Sequence, residues 1–276
     1  MTKKAINKDL SASENSYHKL SIQVSLNGLS FCILDTIANE LALSHSLPFK
    51  REVSPFDLHR EIRQCFRDEG VLEYSFSEVI AIHRNPLFSL VPQPLFDEDQ
   101  LPNYLKYNAK ILASDHLDYD LIKGLETVNV YVPFANVNNY LYDLFGEFEF
   151  KHSGTVLLET LIKLPSSRQG SVCYLHLAET QMDLAVFSSK KLLFYNSFTI
   201  SSPEDVLYFL LFSLEQLNLD PESLKLRLLG EVTEEDRVYE FCMEYFENVS
   251  LFVPSDTALQ LPGQEAGIDF TLISAL

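Results

Sequence analysis

Apolar and polar residues alternate along Lys19 to Asp35, KLSIQVSLNGLSFCILD, on both sides of an Asn27-Gly28 pair. That pattern predicts two half-buried strands joined as a hairpin. A third strand-like run, ELALSHSLPF, follows. The stretch SPFDLHREIRQCFRDEG then predicts a helix, with Ser54 as N-cap, Pro55 at the first helical position, Asp57 in the first turn and Gly70 at the stop. SEVIAI supplies a further strand. The second half repeats the series: SVCYLHLAE and MDLAVFSS as a hairpin, KLLFYNSFTI as a third strand, SPEDVLYFLLFSLEQLNLD as a helix and SLKLRLLG as a strand. Ser202-Pro203-Glu204-Asp205-Val206 echoes Ser54-Pro55-Phe56-Asp57-Leu58, so two copies of one mixed α/β unit are expected. The helix from Pro203 is apolar nearly all round, which predicts burial between layers.

Between the two series lie NPLFSLVP as a strand, FDEDQLPNYLKYNA as a helix, SDHLDYDLIKGL as extended chain, TVNVYVP as a strand, and NVNNYLYDLF and GTVLLETLIKL as helices. LPSSRQGS, residues 164–171, reads as a polar hinge. The organisation expected is a disordered tail over 1–16, a first half over 17–164 with an inserted subdomain at about 85–125, a second half over 165–255 and a tail over 256–276.

Over residues of roughly 18 to 255 this order resembles the actin-like ATPase superfold, and within it the pilus-assembly protein PilM and its secretion-system relative GspL. FDEDQLPNYLKYNAKI takes the place of that family's inserted helix, NVYVPFANVNNYLYDLF that of its "lvaaPkevvdrYlel" segment, and AVFSSKKLLFYNSFTIS that of its "vlrdGkLLFsReIpiG" meander. A closer resemblance is to a bacterial family, domain of unknown function 3822. The resemblance implies a duplicated, ribonuclease H-like, two-lobed α/β fold with a small inserted α+β subdomain. Active members of the superfold hold Mg-ATP between the halves with two Asp-x-Gly loops, where glycine admits the phosphates and aspartate organises the metal. Here the alignment puts His176 in place of the Asp and Ala178 in place of the Gly, in a loop completed by Thr180 and Gln181. The first loop has Ser25, Leu26, Asn27 and Gly28, and no Asp. Of the glycine run beside the adenosine only Gly230 remains, followed by Glu231 and Val232 and then by Glu234, Glu235 and Asp236. The expectation is a degenerate nucleotide site without catalytic residues, metal or cofactor, in a pseudo-ATPase that acts as a protein-binding scaffold or adaptor. The alternative is a PilM-like adaptor that binds Mg-ATP through atypical phosphate loops. A sugar kinase of the same superfold would need Asp183 as its catalytic carboxylate.

Charge narrows the partners. The 276 residues include 21 Lys and Arg against 39 Asp and Glu, a formal net charge of −18, which argues against a nucleic-acid surface and for basic protein partners, with a homodimer as a further possibility. The longest apolar run, Val206 to Leu214, is too short to cross a bilayer, so no membrane insertion is expected and the compartment read from the chain is the cytoplasm. Cys32, Cys65, Cys173 and Cys242 are widely spaced, as expected of reduced, buried thiols. Asp115, His116, Asp118 and Asp120 could attract a cation but lack a calcium-loop glycine and a bidentate Glu, and a solvated strand lead-in is the plainer reading. His176 reads as a hydrogen-bonded core histidine, and Ser201-Ser202 as a helix cap.

Overall fold

The computed structural model describes residues 16–112, 114–164, 170–178, 180–252 and 269–276. Two compact units form: residues 1–160 with 257–276, and residues 161–256. In the first, β1 (His18–Val24), β2 (Gly28–Asp35) and β3 (Glu40–Pro48) make an antiparallel meander followed by α1 (Leu58–Asp68). Strand β4 (Phe76–His83) returns parallel to β1. An insertion of β5 (Phe88–Pro92), α2 (Leu101–Leu105), β6 (Asp118–Leu121) and β7 (Thr127–Tyr131) precedes α3 (Ala135–Phe145), β8 (Glu149–His152) and α4 (Ser153–Leu161). The five-stranded sheet has the order β3-β2-β1-β4-β8.

The second unit repeats this plan. Strands β9 (Ser171–Ala178), β10 (Gln181–Ser188) and β11 (Lys191–Thr199) form the meander, α5 (Pro203–Gln216) follows, and β12 (Lys225–Gly230), α6 (Arg237–Tyr245) and β13 (Asn248–Leu251) complete it. Its sheet order, β11-β10-β9-β12-β13, is the first one renumbered. The period-2 patterns explain both cores. In the first, Leu20, Ile22 and Val24 face Leu58, Ile62 and Phe66 of α1 and Val137 and Leu141 of α3. In the second, Cys173, Leu175 and Leu177 face Val206, Leu210 and Leu214 of α5 and Cys242 of α6.

Three local expectations change. Helix α1 begins at Leu58, with Asp57 at the cap position; Ser54 donates its hydroxyl to the Asp57 carboxylate at 2.7 Å, so 54–57 is a turn leading into the helix. The turn is centred one residue earlier than Asn27-Gly28: Val24 pairs with Leu29 and Ser25 bonds Gly28, so Leu26 and Asn27 are its central residues, without the positive φ of a mirror-image turn. The mirror-image turn lies instead at Ser189 (φ 49°) and Lys190 (φ 67°), joining β10 to β11. Helix α5 is buried on one face only: a single sheet lies beneath it, and Tyr208 and Phe212 stay 61% and 47% exposed.

The insertion's sheet, β5-β7-β6, runs to Tyr131, past the expected end near residue 125, because β7 is its central strand and pairs with both neighbours. The fifth strand of the first core sheet is therefore β8. Residues 256–276 were expected as a tail. The part that is described contains α7 (Phe270–Ser274), which packs in the first unit on the sheet face opposite α1. Leu272 sits there with Cys32, Ile82 and Val156. Asp269 accepts from Gln23 at 2.6 Å and pairs with the buried Arg84 at 3.0 Å, and Thr271 bonds Gln23. The hinge reading at 164–171 and the tail over 1–16 fall largely outside the described residues.

Candidate functional site

The first candidate loop, in the first unit, is closed on itself. Ser25 donates its N–H to the Gly28 carbonyl at 2.9 Å, and its hydroxyl donates to the same oxygen at 3.2 Å. The carbonyls of Leu26 and Asn27 accept from Val53 and Phe49, each at 2.8 Å. A side chain at Gly28 would meet the Leu47 carbonyl at 3.3 Å, so neighbouring backbone fills the space that this glycine leaves.

In the second unit Ala178 pairs with Gln181 across the β9–β10 ladder. The Thr180 carbonyl accepts from Ile200 at 3.0 Å, and Gln181 bonds Ser197. His176, at the position of the missing aspartate, is 1% exposed with Nδ1 3.3 Å from the Asp183 carboxylate; Tyr195 donates its hydroxyl to the other Asp183 oxygen at 3.3 Å. The core-histidine reading and the kinase alternative meet here, since Asp183 is 2% exposed and engaged by both neighbours.

Gly230 has a packing reason to remain glycine. Its φ is +86°, and a Cβ built there would lie 2.1 Å from the Leu177 carbonyl oxygen. Glu231 then donates its N–H to that same carbonyl at 2.9 Å, carrying the β9–β12 ladder past the glycine. The close backbone approach is therefore between strands of the protein itself.

Within the second unit, Ala178 and the residues that follow Gly230 border a pocket of about 340 Å³. Leu177, Ile200, Val206 and Val232 give it an apolar lining; Ala178, Ser202, Glu231, Asp236 and Arg237 bring its polar and small residues. A carboxylate stands at the start of each flanking helix, inside the cap of α5 and bonded to the preceding turn at α6. Asp205 accepts from the N–H and hydroxyl of Ser201 (2.9 and 2.7 Å) and from the N–H of Ser202 (3.1 Å), while Ser202 accepts from the Asp205 N–H, a full capping box. The Ser201 bonds hold the Asp205 carboxyl below its ordinary range. Asp236 accepts from the N–H and hydroxyl of Thr233 at 2.6 and 2.9 Å. The surroundings that an entering phosphate would need are thus already occupied by negative charge.

The remaining candidates disperse. Asp115 accepts from the Leu112 N–H, His116 lies 3.8 Å from Asp118, and the half-buried Asp120 is bonded elsewhere, to His152 and Thr155. Among the described residues no three His, Cys, Asp or Glu side chains gather as a metal site. The four cysteines are free and buried; burial pushes the Cys32 and Cys242 thiols up to about 12. No helix among the described residues is long and apolar enough to cross a membrane. The sequence reading missed a buried polar network in the first unit. Asp120, pushed up to about 7 by burial, accepts from the His152 N–H (2.9 Å), the Thr155 hydroxyl (2.7 Å) and the Tyr131 hydroxyl (3.2 Å), fastening the insertion to the start of α4. His83, whose ring burial holds down to about 3, accepts from the Phe134 N–H and faces Asn138 at 2.9 Å.

Residues 7–249 match a single family, described as Protein of unknown function (DUF3822). The chain belongs to that family. Two solved structures show the fold of this family member. A Bacteroides thetaiotaomicron VPI-5482 protein with an actin-like ATPase fold is similar over 89% of this chain and 94% of its own, at 22% identity and a TM-score of 0.76. A chain of the PilM–PilN type IV pilus biogenesis complex is similar over 92% of this chain and 96% of its own, at 13% identity and a TM-score of 0.58. The fold is the actin-like ATPase fold, duplicated in two units of one topology. No curated protein matches the sequence.

Proposed function

We propose that this chain is a pseudo-ATPase: a cytoplasmic, non-enzymatic actin-like protein that works by binding another protein as a scaffold or adaptor. The observation that carries the reading is the second loop, where a buried His176 tied to Asp183 stands in place of a metal-organising carboxylate and Ala178 is paired into the ladder. The aspartate that organises Mg²⁺ in active members of the superfold is therefore missing from this position. The acidic residues after Gly230 oppose a triphosphate further. The structural likeness to a chain found in the PilM–PilN complex supports protein binding as what such a scaffold is kept for.

The alternative, a nucleotide-gated adaptor, draws on the pocket beside Ala178, whose volume falls at the small end of ligand sites. Thermal unfolding with and without Mg-ATP separates the two. A ligand at 100 times its Kd stabilises the native state by about 2.7 kcal/mol, a shift of several degrees. The pseudo-ATPase reading expects no shift at millimolar Mg-ATP. A shift that Ala178→Arg abolishes supports the nucleotide-gated adaptor instead.

A further inference from the structure

Helix α5 leaves part of its apolar surface outside the core. Tyr208 and Phe212, one turn apart, are 61% and 47% exposed, and their rings stack with centroids 5.9 Å apart and planes 14° from parallel. Glu204 lies one turn before Tyr208 at the same helical spacing and pairs with Arg237 of α6 at 3.2 Å. Arg237 in turn lines the pocket between the two helix N-termini. The stripe and the pocket are therefore joined at Glu204, and from Glu204 to Phe212 the stripe runs about 12 Å at 1.5 Å per residue.

The charge around this surface has one sign. Two helix N-termini contribute about half a positive charge each, and Arg237 adds one. Against them stand the carboxylates of Glu204, Asp205, Glu231 and Asp236, leaving about two negative charges. The second unit as a whole carries 7 Lys and Arg against 15 Asp and Glu over residues 161–256. An anionic ligand is disfavoured, and a second copy of the same acidic face is disfavoured too. An apolar hole leading to an aromatic stripe, inside a negative field, fits an apolar side chain flanked by cations.

We propose that the pocket at the N-termini of α5 and α6, with the Tyr208–Phe212 stripe, binds a short basic amphipathic segment of a protein partner, one apolar residue entering the pocket and Lys or Arg residues lying along its rim. The inference rests on the reading of the chain as protein-binding and names the chemistry of what it binds.

The test uses the full chain with methyl-labelled alanine and valine and follows Ala178, Val206, Val232 and Val238 by NMR. The probe is an acetylated amphipathic peptide of Lys and Leu, with a Glu and Leu peptide of equal length as control. The Lys/Leu peptide should shift these methyls saturably, and Tyr208→Ala or Val232→Arg should weaken binding about tenfold or more while leaving the other methyl signals in place. Raising the salt from low to several hundred millimolar should also weaken it, as expected for a charge-assisted contact. Shifts of equal size with the Glu/Leu peptide, or shifts spread over the first unit, overturn the proposal. Concentration-dependent self-association abolished by Tyr208→Ala assigns the surface to a second copy and overturns it as well. Mg-ATP shifting the same four methyls refutes the pseudo-ATPase reading itself, whereas silence toward both ATP and the Lys/Leu peptide refutes only this inference.

Discussion

Replacing Gly230 by alanine separates a glycine kept for packing from one kept for a ligand. The new Cβ would lie 2.1 Å from the Leu177 carbonyl oxygen and 3.0 Å from His176 Cδ2, so β9 and β12 must part by more than an ångström. Holding a non-glycine residue at φ +86° costs roughly 1–2 kcal/mol. Losing the Glu231 N–H bond to Leu177 adds roughly 1 kcal/mol, and the parted strands lose contact in a core where Leu177 and Leu229 are 3% and 2% exposed. The sum is a destabilisation of about 3–5 kcal/mol, a large share of the roughly 5–15 kcal/mol that holds a typical domain together. Urea denaturation followed by circular dichroism measures it, at unchanged m-value. A loss below about 1 kcal/mol would show that the strands yield easily, and the packing account of this glycine would fail.

Three further outcomes follow from the same structure. His83 is held neutral by burial to about 3, so between there and an unfolded value near 6.5 the unfolded chain carries the extra proton and stability falls as pH falls; Asp120, raised to about 7, works in the opposite sense over about 4 to 7. Denaturant titrations of His83→Gln should therefore shift relative to wild type by about 2 kcal/mol in favour of acid between pH 7 and 5, and parallel profiles would contradict the assignment. Ser202→Ala removes the hydroxyl that caps α5 and should cost about 1 kcal/mol by the same measurement, while Ser54→Ala, outside any cap, should cost well under that. Leu272→Ala empties a site shared with Cys32, Ile82 and Val156 and should cost about 2–5 kcal/mol; no loss would show that α7 does not hold the first unit together.

Much of the fold was legible because its signal is local. Alternation over seven to nine residues marks β1 to β3 and β9 to β11, and Ser202-Pro203 with Asp205 writes the start of α5 in four letters. What escaped has little local signature. Strands β8 and β13 are four residues each, too short for a period to show, and α6 starts at an Asp236 whose side chain bonds Thr233 and not the helix. The exposure of Tyr208 and Phe212 depends on how many layers cover α5, which helical periodicity does not reveal. At the candidate site, the missing aspartates and glycines could be read directly, but their replacements could not. That His176 would meet Asp183, or that Gly230 would be claimed by the Leu177 carbonyl, depends on strand register. The Asp120 network draws Tyr131, His152 and Thr155 from 11 to 35 residues away, and Asp269 reaches Arg84 across 185, separations at which no motif forms.

The most direct test of the central claim is isothermal titration of Mg-ATP into the full chain, with Ala178→Arg titrated in parallel. An emptied phosphate loop predicts no saturable heat for either protein up to millimolar nucleotide. Saturable binding by the wild type that the arginine variant loses would show that a loop built from Ala178, Thr180 and Gln181 still holds a triphosphate, and the pseudo-ATPase account would be contradicted.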